Sequence, residues 1–210
     1  MNLRIGFLGW CLLLVSASGV RAQDDAYTRV ITERAAKITA TLGLTDAGKA
    51  DRVTQLIAGQ YRRLNDLQES RKTEAADLKA KEAPAAEMTA LESRTEKKRN
   101  ELHDVYIKAL LSELTAAQVD QVKDGMTYRV LPITYQGYLD MLPNLTAEQK
   151  SQILSYLTEA REHAMDAETS EKKHAWFGKY KGKINNYLSA SGIDMKKAGQ
   201  EWQERRNARH

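Results

Sequence analysis

The sequence predicts an all-α fold, an irregular bundle of six or seven helices that carries a long charged αα-hairpin. Three observations lead there. Apolar residues recur at intervals of three and four along most of the chain, the repeat of one helix face. Only three prolines occur in 210 residues, two of them in one short stretch, which suits long helices joined by short turns. No segment shows the sustained alternation of a half-buried strand.

The chain opens with a short positive start, Met1 to Arg4, then an apolar run from Ile5 to Val15. Val20-Arg21-Ala22 places small or aliphatic residues where a signal peptidase reads. Residues 1–22 are therefore expected to be a cleaved signal peptide, and the protein to be periplasmic or secreted. Arg4 and Arg21 enclose 16 uncharged residues, short of the roughly 20 that a spanning helix needs, so no membrane span is expected after cleavage. The one cysteine, Cys11, lies inside the apolar run. Residues 23–210 hold none, which excludes disulfides, thiolate metal sites and cysteine nucleophiles there. They are expected to form a single all-helical domain, long enough to bury a core. Without Arg4 and Arg21 the 32 basic residues fall to 30, against 28 acidic ones, so bulk charge gives no reason to expect nucleic acid as a partner.

Asp24 to Leu42 reads as the first helix, with Tyr27, Val30, Ile31, Ala35, Ile38 and Leu42 on one face and Gly43 as its stop. Thr45-Asp46 starts the second by N-capping, and Val53, Leu56, Ile57, Leu64 and Leu67 form its stripe. From Glu69 to Glu101 about half the residues are charged, and Ala83-Pro84-Ala85 interrupts the run. The apolar pattern returns at Leu102, Val105, Tyr106, Leu110 and Leu114. This is the hairpin: a packed base and a charged tip near Pro84, the charges forming a solvated face.

Leu114-Thr115-Ala116-Ala117-Gln118 and Leu145-Thr146-Ala147-Glu148-Gln149 are two near-identical helix starts. Each puts threonine at the cap and glutamine three residues on, the pattern of a capping box with its staple leucine. Between them, Met126 to Asn144 contains Pro132, Pro143, Tyr128, Tyr135 and Tyr138. It reads as an irregular connector with one short helix around Thr134 to Met141. A long helix follows from Thr146 to about Ala167, with Ile153, Leu154, Leu157, Ala160 and Ala164 buried. Another runs from about Thr169 to Leu188, with Phe177, Tyr180, Ile184, Tyr187 and Leu188 on one face and Trp176, Lys179, Lys183 and Asn186 on another. Ser191-Gly192 ends it, and Asp194 caps a last helix with Met195, Ala198 and Trp202 inward.

Chemistry-bearing patterns are few. Glu159, His163 and Asp166 are spaced four and three, so they share a helix face as acid–base or ligating groups would, with His174 able to fold back from the next helix. The order is not that of a zinc HExxH motif and no second ligand pair is visible, so no metal is expected. A carboxylate pair for glycoside hydrolysis cannot be found from spacing, since the two acids come from separate elements; Asp166 and Glu168, at a helix junction, are the least implausible candidates. No serine elbow and no phosphate-binding glycine loop occurs, and no cofactor is expected. In Lys179 to Leu188, KYKGKINNYL, Gly182 stands in mid-helix at a cost of about 1 kcal/mol relative to alanine, which close approach of another helix, or of a ligand such as an anionic sugar or a carboxylate, would explain.

Two resemblances rest on these residues. The stretch from Tyr27 through Leu44-Thr45 to Gln60-Tyr61, with Ala164-Met165-Asp166, KYKGKINNYL and Gly192-Ile193-Asp194, resembles an exported, all-helical bacterial family classed as a domain of unknown function. The resemblance covers nearly all of residues 23–210. It implies a helical fold and, because such proteins often lie beside polysaccharide-degradation systems, a carbohydrate setting; it brings no catalytic residues. The two Leu-Thr-x-x-Gln strings resemble the repeat of the Spy/CpxP periplasmic chaperones over ten residues, while chain length and the long connector depart from that family.

The expected function is that of an exported, non-enzymatic binding or accessory protein for a glycan or polypeptide. Its groove would lie between the last two long helices and the tyrosine connector. Lys179, Lys183 and Asn186 would supply polar contacts there, and Tyr138 and Trp176 stacking surfaces. The alternatives are a polysaccharide-active enzyme using Glu159, His163 and Asp166, and a holdase-like chaperone.

Overall fold

The computed structural model describes residues 17–208, with side chains from Asp24 onward. The expected signal peptide lies for the most part outside them. Among the described residues the regular secondary structure is all helical, with no strand. α1 (Ala17–Thr39) tightens into a 3-10 turn (Ala40–Leu42), followed by α2 (Ala47–Ala80), α3 (Ala85–Glu113), α4 (Ala116–Met126), α5 (Val130–Met141), α6 (Ala147–Met165), α7 (Ser170–Ala190) and α8 (Met195–Asn207). The all-α class holds, and the described residues form eight α-helices where six or seven helices were expected. No described helix is long and apolar enough to cross a membrane.

Local signals set most of the boundaries. Gly43 ends the first element in the left-handed region, at φ 65°, where a side chain would be strained. Asp46, not Thr45, caps α2, its carboxylate accepting from the Lys49 N–H at 3.0 Å. Thr115 and Thr146 both form complete capping boxes, with Gln118 and Gln149 reaching back to the cap N–H. Tyr128 and Arg129 take positive φ between α4 and α5. α5 is longer than the helix expected around Thr134. Pro132 is its third residue, where the N–H has no intrahelical partner to lose, so the proline is accommodated instead of breaking the helix.

α2 and α3 form the hairpin, turning through residues 81–84. Its outer half buries little, chiefly Gln68, Leu91 and Thr95. Ion pairs cross the arms there, Arg71 to Glu92 and Arg94 to Glu74. Two apolar clusters hold the rest. The first draws Ala35, Ile38, Val53, Ile57, Tyr106, Leu110, Val119, Val122 and Met126 from α1 to α4, together with Met165. The second draws Leu131, Tyr138, Ile153, Leu157, Phe177, Tyr180, Ile184, Leu188 and Ala198 from α5 to α8. α4 touches α1, α3, α5 and α6, so it joins the two.

Three packing expectations need correction. Val30 and Leu154 are each 40% exposed, because they flank Ile31 and Ile153 rather than lie on the stripe. In α2 the inward positions next to Leu56 and Leu67 are filled by Gln60 and Gln68, both buried. A Cβ built on Gly182 meets nothing within 4 Å, so no helix approaches closely there. The close approach is at Gly125 of α4, where a Cβ would lie 2.9 Å from Cγ1 of Ile38.

Candidate functional site

α6 ends at Met165 with Asp166 as its C-cap, the chain turns, and Thr169 caps α7 by accepting from the Lys172 N–H at 3.2 Å. This tight corner returns α7 along α6 and faces the polar side of α3. The space between is a cleft of about 580 Å³. Arg71 of α2, Glu92, Glu96, Arg99, Asn100 and His103 of α3, Glu162, His163, Asp166 and Glu168 of α6 and the corner, and Lys172, Trp176 and Lys179 of α7 line it.

The charges of the cleft are matched against one another. Arg71 donates to Glu92 at 3.0 Å, and Arg99 pairs with Glu96 and reaches Glu168 at 3.5 Å. Lys172 holds Glu168 at 2.6 Å. Glu162 accepts from Lys123 at 2.8 Å and lies 3.7 Å from Nε2 of His103. Burial pushes the Glu168 carboxyl up, but the hydrogen bond from Lys172 and the charges of Lys172 and Arg99 outweigh it and hold it below its ordinary range. Among the described residues Lys179 is the one lining cation without a carboxylate; its Nζ lies over the Trp176 ring, 4.9 Å from the centroid.

At the back of the cleft His103 Nδ1 and Asp166 Oδ2 are 2.6 Å apart. The hydrogen bond to Asp166 raises the His103 pKa, against an opposing effect of burial, so the imidazolium is favoured. Asp166 is 6% exposed, and its other oxygen, Oδ1, is buried without a hydrogen-bond partner. Beneath the corner, buried Lys173 donates to the carbonyls of Ala164 and Met165 at 3.0 and 2.8 Å, closing the C-terminal end of α6. Burial lowers its pKa to about 8.

The structure gathers part of the expected site. His163, Asp166, Trp176 and Lys179 all line the cleft, and the His163 ring stacks on Trp176 with centroids 4.4 Å apart. Glu159 is exposed and does not line it. Lys183 sits over Tyr180, 4.2 Å from its centroid, outside the cleft, and Asn186 is exposed beyond it. Tyr138 is no stacking surface: it is 7% exposed, and its hydroxyl donates to Oδ1 of Asn185 at 2.8 Å, pinning α5 to α7. His174 stacks on Tyr128, not beside His163. The groove is thus bounded by the hairpin rather than by the tyrosine connector. Among the described residues no group of three or more His, Asp, Glu or Cys is placed to hold a metal ion.

Sequence reasoning missed α3's contribution, His103 with Glu92, Glu96, Arg99 and Asn100. A signal was present: these residues recur at helical spacing on one face, with a histidine in it. An arrangement of this kind can bind a hydrogen-bonding ligand, and His103 with the facing carboxylates can move protons.

No curated protein matches the chain. The family described as "Protein of unknown function (DUF3826)" matches residues 28–208, which take in both apolar cores and every residue of the cleft, and the chain belongs to that family.

Proposed function

We propose that this is an exported, non-enzymatic binding or accessory protein whose cleft takes a neutral, hydroxyl-rich ligand, a glycan segment. One observation carries the reading: apart from Lys179, every lining charge has an ion-pair partner, within the cleft or, for Glu162, from Lys123 outside its lining, so the wall presents strong donors and acceptors with little uncompensated charge. An ionic ligand would have to break these pairs. A polyol can bridge them, because each of its hydroxyls both donates and accepts. Trp176 adds an apolar border to the cleft. The family resemblance in the sequence points to the same carbohydrate setting.

The test is calorimetric titration with a panel of neutral and acidic oligosaccharides. Arg99→Ala and Trp176→Ala should each weaken binding to a neutral hit at least tenfold, with circular dichroism unchanged. Unaltered affinity in both variants removes the cleft as the site. N-terminal sequencing of the protein from its native host checks export; a chain beginning at Met1 is the contrary result.

The His103–Asp166 hydrogen bond favours a second reading, a polysaccharide-active enzyme with protonated His103 as acid. In that case His103→Gln abolishes release of new sugar ends while binding persists. Binding without release, in the native protein, decides for the first reading.

A further inference from the structure

The α6–α7 corner also borders a second cavity, of about 480 Å³, with Ala167 and Glu168 common to both. Its chemistry differs from that of the cleft. Ile31, Ile38, Leu64, Met126 and Met165 give it apolar walls. Its two acids are already engaged, Glu69 by Lys72 at 2.7 Å and Glu168 by Lys172 at 2.6 Å. Arg34 and Lys37 of α1 have no carboxylate within 4 Å among the described residues. Buried Lys173 spends two of its three donors on α6 carbonyls. The positive charge of Arg34 reaches Lys173 and helps to lower its pKa, after burial, while Asp166 acts in the opposite sense.

Two more features point to a bound anion. Thr169 and Ser170, at the N-terminal end of the 21-residue α7, line the cavity, and a helix start of that length favours negative charge. Gln68 lines it too, 7% exposed, with its buried Oε1 lacking any partner. The other end of that amide, Nε2, is the donor Gln68 can offer to the cavity. The volume is within the range of small-molecule sites.

We propose that this cavity binds a small carboxylate with an apolar body, its head between Arg34, Lys173 and the start of α7, its chain along Ile31, Leu64 and Met126. This proposal is independent of the glycan reading, since none of its cations lines the cleft.

Calorimetric titration of the full chain with octanoate, and with 1-octanol as the neutral control, tests it. Octanoate should bind saturably, one per chain, and octanol at least tenfold more weakly. Lys173→Met removes a contact that closes α6 and can unfold that corner. Exposed Arg34 therefore carries the mutational test: Arg34→Gln should weaken octanoate at least fivefold and leave octanol unchanged. Trp176→Ala, in the other cavity, should leave octanoate binding intact. Absence of saturable binding, equal affinity for acid and alcohol, or an Arg34→Gln variant that binds octanoate normally would each overturn the proposal.

Discussion

His103 and Asp166 lie 63 residues apart and share a 2.6 Å hydrogen bond between the middle of α3 and the end of α6. It ties the hairpin to the corner that borders both cavities. The hydrogen bond raises the His103 pKa, so the sign of its pH effect follows. The folded state holds the proton more tightly than the unfolded one, whose value is near 6.5. The stabilisation is complete below that value and is lost as pH rises through the higher folded value. His103→Gln should therefore cost about 1.5–3 kcal/mol at pH 5.5, the range for a hydrogen bond to a charged group, and clearly less at pH 9. Urea unfolding at the two pH values measures it; a cost independent of pH would mean that the charge of His103 contributes nothing.

The two capping boxes look alike in sequence but should not weigh alike. Thr115→Ala and Thr146→Ala should each cost about 1 kcal/mol, the usual loss of a side-chain cap. Gln118 does more than Gln149. Its Nε2 also donates to the Leu42 carbonyl at 3.0 Å, fastening the start of α4 to the end of the first helical element. Gln118→Ala should exceed Gln149→Ala by about 1 kcal/mol, the net value of one further hydrogen bond. Midpoints in urea decide the order, and equal costs would show that the Leu42 contact is idle.

What could be read in the sequence is what local chemistry decides. Caps, the Gly43 stop and the hairpin turn depend on neighbours a few residues away, and they stand where spacing put them. The His163, Asp166, Trp176 and Lys179 part of the cleft was legible for the same reason, since each pair shares a face of one helix. The α3 part was not, because nothing local says which side of the hairpin the corner meets. Glu92 and Glu96 have the same letters as solvated surface charges; only the long-range pairing of α3 with α6 makes them a wall. Tyr138 shows the opposite error. Its ring and hydroxyl suit a ligand site or a buried hydrogen bond equally, and the partner that decides, Asn185, is on another helix.

Two helical glycines make opposite predictions. A Cβ at Gly182 meets nothing within 4 Å, so Gly182→Ala should stabilise the protein by about 0.5–1 kcal/mol, the backbone-entropy difference alone. At Gly125 the new Cβ would fall 2.9 and 3.0 Å from Cγ1 and Cγ2 of Ile38. Ile38 is β-branched and buried in the first cluster, so it cannot swing aside cheaply. Overpacking of about 1–3 kcal/mol should outweigh the gain in helix propensity, and Gly125→Ala should be destabilising. Thermal melts of the two single variants compare them directly; a stabilised Gly125→Ala would show that α1 and α4 have room to separate.

Lys173 provides a pH test in the opposite sense to that of His103. Burial lowers its pKa from 10.5 to about 8, so between those values the unfolded chain binds the proton more tightly. Stability then rises with pH across the window from 8 to 10.5, because the folded protein no longer buries a charge. The full span corresponds to about 3 kcal/mol at 1.36 kcal/mol per unit. Lys173→Met lacks this titration and leaves the Ala164 and Met165 carbonyls without their donor, which costs stability at every pH. The native protein should therefore gain on the variant between pH 7.5 and 10, by up to that amount. If the gap narrows instead, the carbonyls and Asp166 hold the ammonium more firmly than burial repels it, and Lys173 is a charged anchor throughout.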